Sequence, residues 1–510
     1  MKSKLNIVKI VIITIVFIGL LGSEKAISEN SIGDKSDISL TKPWTVTLSA
    51  EVDKNSINSN TVKVIDESGK SVAATITLAT DNKTIVIDPP IDGYIPSSSY
   101  YVVIDETLKS IDGTSLDGTV KMKFITKNSV EDFTNYSELP SINSFKTEQD
   151  TLINNSKIDF KITSNTNDNV QYRVFVYKYT NDFYDVTYKY SNVNYTEITS
   201  GYSSAIKGSS IYTLTKNSGL SSGRYKVMVY VRKANNQGQH NNTYTDYDNF
   251  YSGYIKVLDS SIISNKKANE TIKTDNYSKT LDEMVTNQIT NGAPVTSTGS
   301  SWIKPSAAIL KFYINPNNFM DDYGKYIFMD LRYMDGVTVD DLNKLLVGKG
   351  ILEGKGQAFL DAALAKNINP IYLVSHCLLE TGNGTSSLAK GIEVSEVNGL
   401  QVEKKITYNL FGIKATDSNP NKYGSEYAYT QGWFSIEDAI LGGAEYIGSG
   451  YINSSKYNQN TLYEMRYNVN VSWHQYSSDV AWAYKQIKNI KSLIEACKNA
   501  QPIFEIPIYK

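Results

Sequence analysis

The sequence predicts a multidomain protein in which two all-β sandwiches precede a mainly helical C-terminal domain. Its 510 residues are too many for one hydrophobic core, so two to four domains are expected. Apolar and polar residues alternate in short runs up to about residue 259, whereas a helical period begins beyond residue 301. Between them, residues 260–300 are rich in Ser, Thr, Asn and Lys, which predicts a linker with a short helix over 281–289.

The first 28 residues predict a secretory signal peptide. Lys2, Lys4 and Lys9 precede an apolar run over residues 10–21, and small and polar residues follow. That run is short for a membrane span, and an uncleaved anchor is the alternative. We therefore expect an exported protein with no membrane span after signal removal.

Short alternating runs predict a first β-sandwich over residues 39–127. The runs are separated by turn signals and occupy residues 44–48, 62–65, 84–87, 99–104 and 121–124. Three segments, at 83–87, 99–104 and 124–126, resemble the bacterial immunoglobulin-like modules of surface-layer and cell-wall proteins.

A second β-sandwich of the same class is predicted over residues 139–259, with its clearest strands at 172–177 and 225–230. These strands are rich in tyrosine. Alternating aromatic residues favour a spacer whose tyrosines fill strand positions. The alternative is a carbohydrate-binding module, because flat rings stack on sugar faces.

Charge and cysteine content narrow the function. The 51 basic side chains are balanced by 53 acidic ones, so the chain has no excess positive charge that would attract nucleic acid. We therefore exclude nucleic acid as a partner. Cys377 and Cys497 lie in apolar helical contexts and are expected to be buried thiols, although sequence leaves a disulfide open. His376, His240 and His474 lack ligand spacing, so we predict no metal and no cofactor.

The C-terminal region, residues 301–510, carries its strongest signal in a helix that ends on Glu380. Five helices are predicted there, over residues 340–347, 358–365, 371–380, 436–447 and 479–497. Asn369 and Pro370 suit the N-cap and first position of the third helix, and Gly382 and Gly384 suit its end. Apolar neighbours and the negative end of the helix dipole should raise the pKa of Glu380, as a general acid requires.

Several motifs in this region resemble family 73 of the glycoside hydrolases, the bacterial cell-wall β-N-acetylglucosaminidases or glucosaminidase-type autolysins. Residues 378–384 (Leu-Leu-Glu-Thr-Gly-Asn-Gly) are similar to the family's catalytic motif, and residues 408–413 (Tyr-Asn-Leu-Phe-Gly-Ile) to its next segment. Further segments follow in the family's order at 427–429, 431–433, 459–463 and 474–476. The resemblance runs from about Trp302 to the C-terminus and implies a lysozyme-like (α+β) catalytic domain.

The resemblance also implies the reaction. Its substrate would be peptidoglycan, cut at the β-1,4 bond between N-acetylglucosamine and N-acetylmuramic acid, with Glu380 as general acid. The second catalytic group is left open. Glu426 and Asp417 are the nearest acids after the Phe-Gly-Ile segment, and a substrate acetamido group is an alternative nucleophile. Further possible acids precede Tyr408, namely Glu393, Glu396 and Glu403.

Other residues are expected around the sugar. Tyr476 lies where the family carries a tyrosine associated with the active site, and its alternative is a core aromatic. Tyr408, Phe411 and Trp433 are expected to line the cleft, although Phe411 suits a core position equally well. His376 shares the helical face of Glu380 and is grouped with the substrate-binding residues as a structural hydrogen-bonding side chain.

Together these observations predict a secreted, wall-associated and monomeric peptidoglycan hydrolase. Two alternatives remain open. One is a wall-binding surface adhesin whose C-terminal domain only grips glycan. The other is a muramidase or lytic transglycosylase that uses the same fold and cuts the other glycosidic bond.

Overall fold

The computed structural model describes residues 30–179, 195–263, 267–297, 301–416 and 418–510. The predicted signal peptide at 1–28 lies outside this range. The chain divides into two compact units. The first runs as far as Val257 and takes in Val295–Ile309, and the second is formed by Leu258–Pro294 and Leu310–Lys510.

The first unit begins with two small sheets that enclose an aromatic core. Their strands are β1 (Asn30–Ile38), β2 (Trp44–Thr47), β3 (Val62–Asp66), β4 (Thr75–Leu78), β5 (Thr84–Asp88), β6 (Ser99–Ile104) and β7 (Val120–Thr126). One sheet has the order β1-β7-β6-β3 and the other β2-β5-β4. Trp44 and Phe124 pack at 4.9 Å between them. The five predicted runs are strands, and the sequence missed β1 and β4.

A larger pair of sheets follows in the same unit. Its strands are β8 (Ile142–Thr147), β9 (Leu152–Ile153), β10 (Ile158–Ser164), β11 (Asn169–Lys178), β12 (Thr196–Glu197), β13 (Ile206–Lys207), β14 (Tyr212–Lys216), β15 (Gly223–Lys233), β16 (His240–Asn241), β17 (Asp246–Tyr247) and β18 (Asn249–Leu258). One sheet has the order β14-β10-β8, and the other is built on β12-β11-β15-β18-β9. Tyr172, Tyr225 and Tyr230 are buried, so these rings fill the core and are not available to stack on sugars.

Two aspartates join the two β regions of this unit. Asp88 is fully buried, accepts a hydrogen bond from the Asn241 N–H at 2.8 Å and lies 2.9 Å from Nδ1 of His240. Asp92 accepts hydrogen bonds from Nζ of Lys226 and from the Tyr195 hydroxyl, at 2.7 and 2.6 Å. Directed polar contacts therefore hold the two regions in one unit.

Helices dominate the second unit. The remaining elements of the chain are α1 (Ser260–Ile263), β19 (Thr271–Asn276), α2 (Leu281–Asn291), β20 (Thr296–Ser297), β21 (Trp302–Ile303), α3 (Ala307–Ile314), α4 (Val339–Leu345), α5 (Gly356–Ala365), α6 (Pro370–Glu380), α7 (Ser387–Lys390), β22 (Ile392–Val397), β23 (Leu400–Thr407), α8 (Pro420–Gln431), α9 (Ile436–Ile447), α10 (Leu462–Arg466), α11 (Trp482–Ala496) and β24 (Ile503–Ile508). A π-helical turn, Gly448–Ile452, continues α9. The five predicted helices are present as α4, α5, α6, α9 and α11.

The predicted linker is wrong for residues 271–291, which fold as part of the second unit. Strand β19 pairs in parallel with the C-terminal strand β24, from Thr271 opposite Ile503 onwards. Helix α2 is the short helix expected here. It begins with a capping box between Thr280 and Glu283 and buries Met284 completely. The side chains of β19 are mostly exposed and polar, so its composition carries no core signal.

A hairpin of β22 and β23 was also missed. Its turn is Asn398-Gly399, and both residues have positive φ, at 51° and 81°. An Asn-Gly pair between alternating segments is a strong hairpin signal. Helix α8 packs against β22.

Two further observations concern cysteines and membranes. Cys377 and Cys497 are free, buried thiols, the default expected from their apolar neighbours. Within the ranges that the structure describes, no helix is long and apolar enough to span a membrane.

The pairing of β19 with β24 predicts where the second unit can be cut. A chain that starts at Ser301 lacks β19 and α2, so β24 loses its partner strand and the surface under Met284 is exposed. We expect it to unfold at a lower temperature than a chain that starts at Asp259, measured by circular dichroism. Equal unfolding temperatures would show that this segment does not stabilise the unit.

Candidate active site

Helix α6 is the buried support of the site. Every residue from Pro370 to Leu378 is buried, so the helix is enclosed on all sides. Oδ1 of Asn369 accepts hydrogen bonds from the N–H groups of Ile371 and Tyr372, as expected of an N-cap. The chain leaves the helix through consecutive positive φ values at residues 382–384.

Glu380 is the last residue of α6, and its side chain is 35% exposed. Burial of the remainder raises the pKa of this carboxyl group, which confirms the raised pKa expected from the sequence. Its Oε2 faces Gly412, where a Cβ atom would lie 3.1 Å away. The Tyr-Asn-Leu-Phe-Gly-Ile segment therefore passes directly beside the carboxyl group.

His376 lies one turn before Glu380 and is held between two tyrosines. Its Nδ1 lies 3.2 Å from the Tyr372 hydroxyl and its Nε2 lies 2.8 Å from the Tyr476 hydroxyl. The Tyr372 hydroxyl donates to the sulfur of Met465 at 3.7 Å. Because the hydroxyl proton of Tyr372 already points to Met465, Nδ1–H of His376 donates to the Tyr372 oxygen and Nε2 accepts from the Tyr476 hydroxyl. This tautomer gives all three hydrogen bonds a donor and an acceptor.

This arrangement keeps His376 neutral beside Glu380. Burial lowers the pKa of His376 to about 4. A charged imidazole would favour the ionised carboxylate and lower the pKa of Glu380. The neutral ring does not, and its Nε2, 3.8 Å from Oε1 of Glu380, accepts a hydrogen bond from the Tyr476 hydroxyl and carries no proton to donate to Glu380. The carboxyl group can therefore hold its proton.

Tyr476 stands on a loop that a buried arginine holds in place. Burial raises the pKa of its hydroxyl well above the ordinary value, with Tyr372 and Glu380 adding to the shift, so the group stays protonated. Arg466 is fully buried. It donates to the carbonyls of Ser478 and Asp479, at 2.9 and 2.8 Å.

Helix α2 completes this support. Nη1 of Arg466 donates to Oε1 of Gln475 at 2.7 Å and to Oε1 of Gln288 at 3.1 Å. Gln475 in turn donates to the carbonyl of Gly292. The segment before residue 300 thus fixes the loop that carries Tyr476.

Phe411 and Trp433 are buried beneath the site, at 3% and 5% exposure, which corrects the expectation that they line the sugar cleft. Their rings lie against glycines of α9, because a Cβ at Gly443 would overlap Phe411 and one at Gly442 would overlap Trp433. His376 is also buried, at 4%, and lies 2.8 Å from the hydroxyl of Tyr476.

Tyr408 is half-buried and keeps part of its ring accessible. Its N–H donates to the carbonyl of Trp433 at 3.0 Å. The adjacent Asn409 is buried and donates to the carbonyls of Ile413 and Gly424, at 2.8 and 3.1 Å. These bonds set the path of the loop that passes Glu380.

The other acids predicted for catalysis have different surroundings. Glu426 is 8% exposed, and its described partners are the N–H of Asn398 at 3.3 Å and Nζ of Lys422 at 3.7 Å, not Glu380. Asp417 lies outside the described residues. Three acids form ion pairs on or beside the β22–β23 hairpin, namely Glu393 with Lys404, Glu396 with Lys422 and Glu403 with Lys405.

No group of three or more His, Cys, Asp or Glu side chains that could hold a metal ion occurs in the portion of the chain with described structure.

Sequence reasoning missed Tyr372, Gly412 and Arg466. Tyr372 precedes His376 by four residues, so helical spacing alone places the two on one face. Gly412 lies in a recognised motif, where a glycine signals a close approach or a positive φ, here 61°. Arg466 gave no local signal, because its partners come from distant segments.

Two family models match the chain. Residues 356–495 match the glucosaminidase family, described as mannosyl-glycoprotein endo-beta-N-acetylglucosaminidase, and residues 27–126 match a bacterial Ig-like domain.

Curated relatives are similar over the C-terminal region. The beta-N-acetylglucosaminidase of Bacillus subtilis (strain 168) is 47% identical over 211 residues, which are 41% of this chain and 23% of that protein. The bifunctional autolysin of Staphylococcus aureus (strain Mu50 / ATCC 700699) is 44% identical over 189 residues, 36% of this chain and 15% of that protein. The chain thus spans less than a quarter of either relative. A crystal structure of the major bifunctional autolysin is 36% identical, with a TM-score of 0.40, and the comparison covers 47% of this chain and 99% of that one.

The geometry around His376 predicts an unusual titration. In the folded protein its ring should titrate near pH 4, whereas the unfolded chain binds the same proton near pH 6.5. The neutral His376 ring therefore contributes about 3 kcal/mol to the free energy of unfolding. This contribution is fully present above about pH 6.5 and is lost as the pH falls towards 4.

The measurement is a ¹⁵N NMR titration of the imidazole rings. The chain has three histidines, so His376→Gln assigns the resonance. A pKa of 6 or more for His376 would contradict the buried, neutral ring.

Proposed function

We propose that this chain, whose residues 356–495 belong to the glucosaminidase family, is a peptidoglycan hydrolase that cleaves the β-1,4 bond between N-acetylglucosamine and N-acetylmuramic acid. The similarity to a relative described as a beta-N-acetylglucosaminidase supports this substrate. The single observation that carries the proposal is the environment of Glu380. Its carboxyl group is partly buried, has a raised pKa and lies beside a neutral imidazole.

Glu380 acts as the general acid in this proposal. Its proton moves to the glycosidic oxygen as the bond from that oxygen to the anomeric carbon breaks, and positive charge develops on the sugar ring. The leaving chain departs as an alcohol. Glu380 is then a carboxylate and recovers a proton from the water that completes hydrolysis.

The second group that meets the anomeric carbon remains a choice between a protein carboxylate and the substrate. Glu426 is disfavoured because it is held by the hairpin turn at Asn398 and by Lys422. Asp417 stays a prediction. If the acetamido oxygen of the substrate sugar is the nucleophile, no protein nucleophile is needed. An Asp417→Asn variant that keeps its rate would therefore favour the acetamido group.

Tyr476 is proposed to orient the sugar or a water. Its proton is engaged by Nε2 of His376, which leaves the hydroxyl oxygen free to accept from the substrate. Arg466 holds the loop that carries this hydroxyl, through the carbonyls of Ser478 and Asp479.

The remaining regions are proposed to serve reach and export. We infer that the catalytic region has a lysozyme-like fold and that residues 139–259 form a second immunoglobulin-like spacer. The domain limits at residues 39–127, 139–259 and 301–510 stay predictions. We further propose that the protein is secreted, acts at the cell wall and is monomeric. The adhesin and muramidase or transglycosylase alternatives are separated by their products.

The first test compares wild type with Glu380→Gln on purified peptidoglycan. We expect the wild type to release reducing-end N-acetylglucosamine, detected by mass spectrometry after reduction. The variant should lose about 100- to 10,000-fold in kcat, because the amide has no proton to give at neutral pH.

The matched control is Glu445→Gln, which makes the same chemical change on the exposed face of α9, where Glu445 pairs with Lys366. It should keep its rate. Reducing-end N-acetylmuramic acid or an anhydro sugar would place the cut at the other bond. Wall binding without cleavage by either protein would identify an adhesin.

A second test uses the close approach of Gly412 to Glu380. In Gly412→Ala the added methyl group displaces Oε2, so kcat should fall roughly 10- to 100-fold. Gly399→Ala is the control, because Gly399 also has a positive φ and no atom lies within 4 Å of the added Cβ. Both variants should lose about 1–2 kcal/mol of stability. Equal activity in the two would contradict the placement of Glu380.

A further inference from the structure

A continuous series of aromatic rings leads away from Tyr476 towards the surface. Tyr451 packs against Tyr476 with ring centroids 5.2 Å apart. His474 follows at 5.0 Å from Tyr451, and Trp473 at 5.6 Å from His474. The series therefore connects the candidate acid region with a single exposed ring.

Trp473 is 61% exposed, although a tryptophan normally buries most of its surface. It packs edge-on against Tyr457, at 6.1 Å, which leaves much of the indole open to solvent. An exposed tryptophan supported from below by other rings is a surface suited to the apolar face of a sugar.

The support beneath Trp473 is rigid. The His474 ring stacks on Tyr457 with a centroid distance of 3.4 Å and an angle of 9°. Nδ1 of His474 lies 2.6 Å from Oε1 of the fully buried Gln459, whose amide donates to the His474 carbonyl at 2.9 Å. The His474 ring cannot turn without breaking its stack on Tyr457 and its hydrogen bond to Gln459.

The loop is also fixed on its other side. Asn468 is buried, donates to the carbonyl of Tyr457 at 2.9 Å and accepts from the N–H groups of Asn470 and Val471. Tyr451 stands on the π-helical turn that continues α9, and such turns are frequent at functional sites. A preorganised surface loses little conformational entropy when it binds.

We propose that Trp473, Tyr457, His474 and Tyr451 form a sugar-binding platform that holds the glycan strand of peptidoglycan beyond the sugars at the cleaved bond. This inference rests on the proposed function, because continuity with Tyr476 is what makes a glycan strand the occupant. The rings are in contact from Tyr476 to Trp473, so the platform extends the candidate site away from Glu380. Nζ of Lys456, 4.9 Å from the Tyr457 ring, places a cation beside it that suits the carboxylates of the wall polymer.

The test measures how cleavage depends on strand length. Glycan strands from purified peptidoglycan are separated into short and long classes, and kcat/KM is determined for each with the full chain. For the wild type we expect a higher value on long strands. In Trp473→Ala this advantage should fall about five- to tenfold, through KM, and Trp473→Phe should restore part of it.

Trp302→Ala is the matched control, since Trp302 is 55% exposed and lies on β21 of the other unit. It should keep the advantage of the wild type. An unchanged length dependence in Trp473→Ala would overturn the platform.

A binding measurement separates this inference from the proposed function. Long strands are titrated into Glu380→Gln and into Glu380→Gln/Trp473→Phe, and quenching of tryptophan fluorescence is compared. Quenching present only with Trp473 supports the platform even if the wild type releases no product. Cleavage without any Trp473-dependent quenching would sustain the enzyme and refute the platform.

Discussion

The enclosure of helix α6 is the constraint on which the chemistry depends. Because the helix is buried from Pro370 to Leu378, His376 is deprived of water and its pKa falls to about 4. The same burial raises the pKa of Glu380. The same packing thus lowers the pKa of His376 and raises the pKa of Glu380, and both shifts disfavour the charged form. Because Nε2 of His376 already accepts a hydrogen bond from Tyr476, the imidazole does not take the proton of Glu380.

The second feature is the way distant segments meet on this helix. The single guanidinium group of Arg466 donates hydrogen bonds both to the loop around Tyr476 and to Gln288 near the end of α2. Lysine has neither the planar fork nor the number of donors for this task. The matched family region begins at residue 356, so α2 lies outside it and yet contributes to the geometry of the site. The region before the family match therefore contributes to the candidate site.

Periodicity and capping residues predicted the five main helices and the longer strands, because these elements bury a regular face. The sequence failed for β19, whose side chains are mostly exposed and polar and whose pairing with β24 supplies the stability. The β22–β23 hairpin was missed although its Asn398-Gly399 turn lies between alternating segments. Glu380 could be found because its motif is local. The burial of Phe411 and Trp433 could not, since whether a ring points into a cleft or onto a glycine of α9 is decided by contacts far along the chain.

The parallel pairing of β19 with β24 has a consequence for the order in which the second unit folds. Strand β19 pairs with β24, which lies far along the chain, so this contact cannot form early in folding. Contacts between such remote segments form slowly, since a long loop must be ordered first. The second unit is therefore expected to close late in folding, after the local contacts within its helices have formed.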